Sequence, residues 1–292
     1  MVALRRDADP RSRFAADGVG ERCALAAADL CDPGALASAL DEHGVTSVYH
    51  LASHSIVEAA NRSPLPTWEA NIRGTYSLLE ACRVRGGVER IVVASSERAY
   101  GNQEELPFRE DLALRPGFPY AVSKACTDMI ARSYASTYGL PVAVTRLANV
   151  YGPGDVNWSR LVPTTARALA LGERPVIRSD GSPERDFLYV DDAAAVYLAA
   201  GASLDRPELR GRAWNAGGGE PVPVREVVGR LIAIAGGGVE PYVQGSRAPG
   251  DEVDRRVLDT SAIREELGWA PEWELERGLR AAWEWYARVL AT

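Results

Sequence analysis

Short apolar runs that alternate with longer segments of helical periodicity are the feature that most constrains the fold of this chain. Ile91-Val92-Val93-Ala94 and Val142–Leu147 are β-branched runs of strand length, and an amphipathic segment begins between them at Tyr120. Buried strands that alternate with helices of about ten to twenty residues predict parallel strands joined by right-handed crossovers. The sequence therefore predicts an α/β fold built on a parallel sheet.

Composition excludes several classes of protein. The 292 residues contain 33 Lys and Arg against 40 Asp and Glu, a net charge of −7 without a basic tract, which argues against a nucleic-acid partner. The four cysteines show no metal-ligand spacing, and no apolar run reaches the length of a membrane span. We therefore expect a cytoplasmic protein with no metal site and no membrane partner.

A group of polar side chains follows the apolar run that starts at Ile91. These residues are Ser95, Ser96, Glu97 and Arg98. About twenty residues later, Tyr120 and Lys124 stand four apart, so on a helix they share one face. We expect the Lys124 ammonium to lower the pKa of the Tyr120 phenol from about 10, which would prepare Tyr120 to take a proton from a sugar hydroxyl with Ser96 sharing it.

The order of strand, Ser-Ser, loop and Tyr-x-x-x-Lys resembles the extended short-chain dehydrogenase/reductases, the NAD-dependent sugar-nucleotide epimerases and dehydratases. Other stretches resemble the same family in the same order along the chain. They are Asp29-Leu30, His50-Leu51-Ala52-Ser53, Asn71-Ile72-Arg73-Gly74-Thr75, Asn149-Val150-Tyr151-Gly152-Pro153, Arg185-Asp186-Phe187 and Arg247-x-Pro249-Gly250-Asp251. Because they cover nearly the whole chain in the right order, the resemblance implies a Rossmann-like doubly wound sheet and a smaller substrate lobe.

The resemblance also implies roles for residues. The implied catalytic residues are Ser96, Glu97, Arg98, Tyr120 and Lys124. The implied NAD-binding residues are Asp29, Leu30, Leu51, Ala52, Ser53, Asn71, Ser95, Tyr120 and Lys124. The implied residues for a nucleotide-diphosphate sugar are Asn149, Asn157, Arg160, Arg178, Arg185 and Arg247, of which Arg185 and Arg247 would hold the diphosphate, since a guanidinium fork matches phosphate oxygens.

Within the family, residues 154–160 and 174–181 look closest to the CDP-glucose 4,6-dehydratases. That resemblance implies hydride removal from sugar C4 to NAD, loss of water across C5 and C6, and return of hydride to C6. Tyr120 would then be the C4 base and Glu97 would protonate the leaving hydroxyl. Arg98 departs from the pattern, because a guanidinium stays protonated and cannot be the C5 base, although it could stabilise an enolate. A 4-epimerase or another C4-oxidising isomerase therefore stays open beside a dehydratase.

The family's glycine-rich turn after the first strand, which receives the NAD pyrophosphate at a helix N-terminus, has no counterpart in this sequence. The glycine groups at 18–20, 217–219 and 236–238 are in the wrong places for it. Met1 lies inside what would be the family's second strand, so the first strand is missing. We therefore expect a gap at the centre of the sheet or a rearranged sheet, and weak NAD binding.

Two hypotheses about function follow. The first is an NAD-dependent nucleotide-sugar epimerase or dehydratase whose true start lies upstream of Met1. The second is a cofactor-free acid-base enzyme, or a non-catalytic sugar-nucleotide-binding partner subunit. We expect a truncated Rossmann-like domain over residues 1–152 and a mainly substrate-binding lobe over 153–292, with some elements returning to the first domain. We expect a homodimer interface formed by the helical segments 67–85 and 120–138. Met129 is expected on the apolar side of the second segment.

Overall fold

The computed structural model describes residues 1–6, 13–245 and 254–291. The strands are β1 (Val2–Arg5), β2 (Ala24–Ala27), β3 (Ser47–His50), β4 (Arg90–Ala94), β5 (Val142–Leu147), β6 (Asn149–Tyr151), β7 (Val176–Ile177), β8 (Glu184–Arg185), β9 (Phe187–Tyr189), β10 (Ala213–Ala216), β11 (Val222–Pro223) and β12 (Tyr242–Val243). The helices are α1 (Arg13–Ala16), α2 (Pro33–Glu42), α3 (Val57–Arg62), α4 (Pro64–Trp68), α5 (Gly74–Arg85), α6 (Pro119–Tyr138), α7 (Leu161–Ala170), α8 (Val190–Ser203), α9 (Val224–Ile234), α10 (Ser261–Leu267) and α11 (Leu275–Leu290).

A four-stranded parallel sheet in the order β10-β5-β4-β3 forms the centre of the fold. Its side chains alternate between two cores, as the period of two requires. Ile91 and Val93 of β4 pack with α2, α5 and α6 on one face, whereas Val92 packs with α8 on the other. Helices thus cover both faces of a parallel sheet, and the predicted α/β, Rossmann-like class is confirmed.

The strands β1 and β2 pair with each other in parallel but form a separate two-stranded sheet. Neither strand pairs with β3, the edge strand of the main sheet. The expectation of either a gap or a rearranged sheet is resolved in favour of the gap. We call this opening the β1–β3 slot.

The predicted helix over 67–85 forms as three continuous pieces, α4, a π-helical turn at Glu69–Arg73, and α5. The predicted cap of α2 is also present, since the Asp32 carboxylate accepts hydrogen bonds from two amides of the first turn. The expectation that Met129 lies on the apolar side of α6 is wrong, because that side chain is exposed. The buried face of α6 carries small residues such as Ala121, Ala125 and Ala131, which allow close packing on the sheet and α5.

The second half of the chain forms its own apolar cluster from α7, α9 and α11 around Tyr151 and Tyr189. The chain then returns to the main sheet, where β10 pairs in parallel with β5. Among the described residues, no helix is long and apolar enough to cross a membrane, and no cluster of metal-ligating side chains occurs.

Candidate active site

The carboxyl end of β4 delivers the predicted catalytic residues. Ser95 is buried, and its hydroxyl donates to the Lys124 carbonyl at 3.1 Å, which fixes the start of α6 against the strand. Ser96 is the N-cap of a short 3-10 turn at Glu97–Tyr100, and its Oγ accepts a hydrogen bond from the Arg98 amide. The strand end and the helix start therefore form one packed unit.

Tyr120 is half-buried, and its phenol lies beside Ser96, where the end of β4 meets the start of α6. Burial raises the pKa of Tyr120, against the charges of Arg98 and Arg160 and a hydrogen bond with Ser96, which lower it. The direction is opposite to the expected one, because desolvation of the phenolate outweighs the nearby cations. The contact with Ser96 agrees with a shared proton between the two hydroxyls.

Lys124 is buried, and its Nζ donates to the Ala94 carbonyl at 2.8 Å. Burial lowers the pKa of Lys124 to about 8. His50, at the end of β3, contacts the Thr75 hydroxyl through Nε2 at 2.9 Å, and burial together with the Lys124 charge lowers its pKa to about 4. The site therefore contains a neutral imidazole beside a buried ammonium.

Two buried carboxyl groups, Glu97 and Asp186, lie close to each other. Glu97 Oε1 accepts from Asn149 Nδ2 at 3.0 Å, whereas Glu97 Oε2 accepts no hydrogen bond from the described residues. Burial raises the pKa of Glu97 against the charges of Arg256, Arg98 and Arg185. Asp186 is held by the Gly218 amide at 2.8 Å, and burial and the charge of Glu97 raise its pKa to about 7. Like charges in one dry site favour the protonated form of one carboxyl.

The predicted substrate residues fall into two groups. Asn149 and Arg185 are brought to Glu97, Asn149 through the hydrogen bond given above and Arg185 as a nearby charge. Arg160 reaches the Tyr120 side, where its charge acts on the phenol and its guanidinium donates to Asp155. Asn157 and Arg178 bond within the protein, Asn157 to Ser159 and Arg178 to Glu58. Arg247 lies outside the described residues.

The predicted cofactor residues line the carboxyl ends of β2 and β3. Asp29 and Leu30 follow β2, and Leu51, Ala52 and Ser53 follow β3. All of these except Ser53 border the β1–β3 slot.

Two of the side chains predicted to bind the cofactor form hydrogen bonds within the protein. Asp29 Oδ1 accepts the Cys31 amide at 2.8 Å, which lowers the pKa of Asp29. Asn71 is buried, donates to Ser123 Oγ at 2.9 Å and accepts from the His54 amide at 2.6 Å. Asn71 therefore fixes the turn after β3 against α6.

Sequence reasoning assigned no role to Asp186 or Arg256. Asp186 stands inside a motif that was read only for its arginine, and its burial beside Glu97 depends on the fold. Arg256 follows a segment without recognisable periodicity, so nothing in the sequence marks it as the buried arginine whose charge acts on Glu97.

Comparisons with known proteins agree with this geometry. A model of the NAD dependent epimerase/dehydratase family matches residues 1–217. The chain is 37% identical over 266 residues to a dTDP-glucose 4,6-dehydratase of Streptomyces griseus, covering 88% of this chain and 76% of that one. It is 31% identical over 296 residues to a dTDP-glucose 4,6-dehydratase of Escherichia coli, covering 91% and 80%.

Two solved structures share the fold. A UDP-glucose 4-epimerase of Thermotoga maritima, determined with UDP-glucose, superposes with a TM-score of 0.88 at 28% identity over 99% of this chain and 91% of that one. A dTDP-glucose 4,6-dehydratase of Streptomyces venezuelae with NAD bound gives a TM-score of 0.86 at 30% identity over 98% and 87%.

Proposed function

The chain belongs to the NAD-dependent epimerase/dehydratase family, and on that premise we propose that it modifies nucleotide-diphosphate sugars as a 4,6-dehydratase. The observation that carries the choice is Glu97, a buried carboxyl directly after Ser96 with a raised pKa. A carboxyl whose pKa is raised by burial holds its proton more readily than an exposed one and can donate it to a leaving hydroxyl. A 4-epimerase, which expels no water, has no use for such an acid.

The chain's own residues divide the proton transfers between two sides of the site. Tyr120 in its phenolate form would take the proton of the sugar C4 hydroxyl, with the Ser96 hydroxyl sharing it, and the charges of Arg98 and Arg160 favour that phenolate before the transfer. NAD, when bound, would accept the C4 hydride and so supply the C4 ketone that the elimination of water needs. Lys124 positions the start of α6 through the Ala94 carbonyl. On the other side, Glu97 gives its proton to the C6 hydroxyl, which leaves as water.

Arg98 stands where a base for the C5 proton is expected from the resemblance. Its guanidinium remains protonated, so it stabilises the enolate at C4–C5 and does not accept the proton. The Glu97 carboxyl then serves both ends of the elimination, taking the C5 proton on one oxygen as it releases a proton from the other. The proton balance closes, since one proton enters the carboxyl and one leaves it with the water.

NAD fits this chain only in part. The Tyr120–Lys124 side matches the nicotinamide ribose, and Asp29 matches the adenosine side, but the open β1–β3 slot lies between them. The amides at the start of α2, the helix that follows β2, are already taken by the Asp32 carboxylate. Since the described residues offer no cradle of amides for the pyrophosphate at this edge, no step is derived through NAD.

We propose that these 292 residues bind NAD weakly, with a dissociation constant beyond the millimolar range. The loss of several charge-assisted hydrogen bonds, about 1.5–3 kcal/mol each, would shift a micromolar site that far. Titration calorimetry with NAD tests this, and a micromolar dissociation constant would show that other residues replace the missing cradle.

The dehydratase proposal is tested with Glu97→Gln, assayed on a nucleoside-diphosphate glucose with NAD in large excess. Release of the dehydrated 4-keto sugar is expected to fall by roughly 10²–10⁴-fold, while affinity for the sugar nucleotide stays the same. The matched control is Glu110→Gln, a half-buried carboxyl that accepts from the Asn215 amide away from Glu97. Full dehydration by Glu97→Gln, or a C4 epimer as the only product of the unaltered protein, would overturn the assignment.

We further propose that α5 and α6 form the interface of a homodimer. The two helices pack side by side and leave Tyr76, Val84, Met129 and Tyr138 exposed. An isologous contact needs only one self-complementary patch. Sedimentation of Met129→Glu is expected to show dissociation relative to the unaltered protein, with Leu171→Glu as the control on another surface. A monomeric unaltered protein at micromolar concentration would exclude the dimer.

A further inference from the structure

Asp186 is a fully buried carboxyl group that has no part in the proton transfers of the proposed reaction. It lies between β8 and β9 with an exposed fraction of 0%, so it can act on a sugar nucleotide only through a neighbour. We propose that Asp186 is a positioning residue for Glu97: the two carboxyl groups retain one proton between them, which preserves the acid form of Glu97. The role in dehydration rests on the proposed function, whereas the shared proton does not.

One amide side chain connects the two carboxyl residues. Asn149 begins β6, which pairs in parallel with β9. Its Nδ2 donates to Glu97 Oε1 at 3.0 Å and to the Asp186 carbonyl at 3.1 Å. The Asn149 backbone amide donates to the same carbonyl at 3.1 Å. The position of Glu97 relative to Asp186 is therefore fixed by the pairing of two strands.

The Asp186 carboxyl is held in the glycine turn that follows β10. Its Oδ1 accepts from the Gly218 amide at 2.8 Å, and the amides of Gly219 and Phe187 also favour its charged form. A Cβ atom at Gly217 would overlap Asp186 Oδ2, so only glycine leaves room for the carboxyl there. The turn thus gives the Asp186 carboxyl one position.

Each of the two carboxyl groups has one oxygen with a donor and one without. Glu97 Oε2 and Asp186 Oδ2 are buried, and neither accepts a hydrogen bond from the part of the chain that the structure describes. A buried charged oxygen without a donor is costly, and a second negative charge in the same dry site adds repulsion. Ionisation of both groups is therefore disfavoured, and one retained proton removes one of the two charges.

The neighbouring charges do not reverse this balance. Three guanidinium groups lower the pKa of Glu97, those of Arg256, Arg98 and Arg185. Burial outweighs them, because the pKa of Glu97 is raised. For Asp186, burial and the charge of Glu97 outweigh the three amides and raise the pKa to about 7. Tyr120 also faces Glu97, whose charge raises the pKa of the phenol. The last proton of the pair is therefore released near neutral pH, and it belongs to both groups.

Asp186 extends the pH range in which Glu97 is an acid. The interaction of two titrating groups is reciprocal, so a charge on Asp186 raises the pKa of Glu97 as much as the converse. In the proposed dehydration, the C6 hydroxyl leaves with a proton from Glu97, and the rate falls as the pH rises through the pKa of Glu97. Without the Asp186 charge, this loss occurs at lower pH.

An NMR titration of the two carboxyl carbons tests the shared proton without NAD or turnover. The full chain carries carbon-13 at Glu Cδ and Asp Cγ, and the two signals are identified by their loss in Glu97→Gln and in Asp186→Asn. In Asp186→Asn the midpoint of Glu97 is expected to fall by at least about one pH unit. In Glu97→Gln, which leaves the glycine turn intact, the midpoint of Asp186 is expected to fall by the same amount. An unchanged midpoint in either folded variant would overturn the proposal.

Asp192→Asn is the matched control. Asp192 is also a buried carboxyl, but its oxygens accept from the amides of Glu272 and Trp273. The midpoint of Glu97 is expected to stay the same in this variant. A shift as large as that in Asp186→Asn would assign the effect to the loss of any buried carboxylate and would overturn the specific pair.

The pH dependence of dehydration separates a positioning role from a structural one. With NAD in large excess, Asp186→Asn is expected to lose dehydration at a pH lower by at least about one unit than the unaltered protein. A lower rate with the same pH dependence would overturn the positioning role. Coupled midpoints in a protein that releases no dehydrated sugar would uphold the shared proton and overturn the proposed reaction alone.

Discussion

Two regions of the fold, which we call the β4 end and the β1 end, differ in completeness. At the β4 end, Ser95 donates to the Lys124 carbonyl and Lys124 donates to the Ala94 carbonyl of the strand, within a packed core. At the β1 end, two strands stand apart from the sheet across an open slot. The β4 end is complete because its parts come from β4 and from α6, which packs directly on it. At the β1 end, no described strand lies between β1 and β3.

The largest expected effect tests the complete end. Tyr120→Phe removes only the phenolic hydroxyl, so the fold is expected to persist while turnover of a nucleoside-diphosphate sugar falls by roughly 10²–10⁴-fold. Tyr138→Phe, an exposed ring at the end of α6, is the control. A well-folded Tyr120→Phe protein with near-full turnover would remove Tyr120 from the reaction.

Native-state hydrogen exchange compares the two ends directly. An isolated pair of strands is marginal, whereas strands in the centre of a core open only with global unfolding. Amides of β1 and β2 are therefore expected to exchange about 10³-fold faster than those of β4 and β5, a difference of about 4 kcal/mol in opening free energy. Uniform protection across all four strands would mean that the slot is closed in solution.

His50 lies where the two ends meet, and it predicts an acid-sensitive stability. Its pKa is lowered to about 4 from an ordinary 6.5, so the unfolded chain binds a proton more readily. Stability from this group is complete above pH 6.5 and is lost as the pH falls through 4, by about 3 kcal/mol in total.

Denaturant unfolding of His50→Gln between pH 4 and pH 7 is expected to lack this loss. His43→Gln, an exposed position, is expected to retain it. If His50→Gln and the unaltered protein lose the same free energy of unfolding at acid pH, groups other than His50 cause that loss.

The smallest expected effect concerns substrate affinity at the complete end. Arg185→Ala and Arg256→Ala each remove a buried guanidinium near Glu97, and each is expected to weaken binding of a nucleoside-diphosphate sugar by about 1.5–3 kcal/mol. Arg230→Ala removes an exposed guanidinium paired with Glu226 and is expected to change affinity little. Unchanged affinity in Arg185→Ala by calorimetry would contradict diphosphate binding there.

Sequence periodicity predicted strands and helices well where tertiary packing and local sequence favour the same secondary structure. The β-branched run of β4, the Asp32 cap of α2 and the helix that begins near Tyr120 all form within a residue or two of the prediction. The family assignment, which depended on order along the chain, is confirmed by the family model and the relatives. Met129 was misplaced because α6 buries its small residues and leaves a large one exposed.

The sequence by itself determined the fold class, the family and the identity of the catalytic candidates, because these depend on residue types at fixed spacing. Only the tertiary structure decided the directions of the pKa shifts. Burial raises the pKa of Tyr120 although a lysine stands four residues away. The fold places Asp186 beside Glu97 although 88 residues lie between them in the chain. It also decided that the sheet keeps an open slot. Desolvation and strand pairing depend on neighbours from distant parts of the chain, which no local pattern encodes.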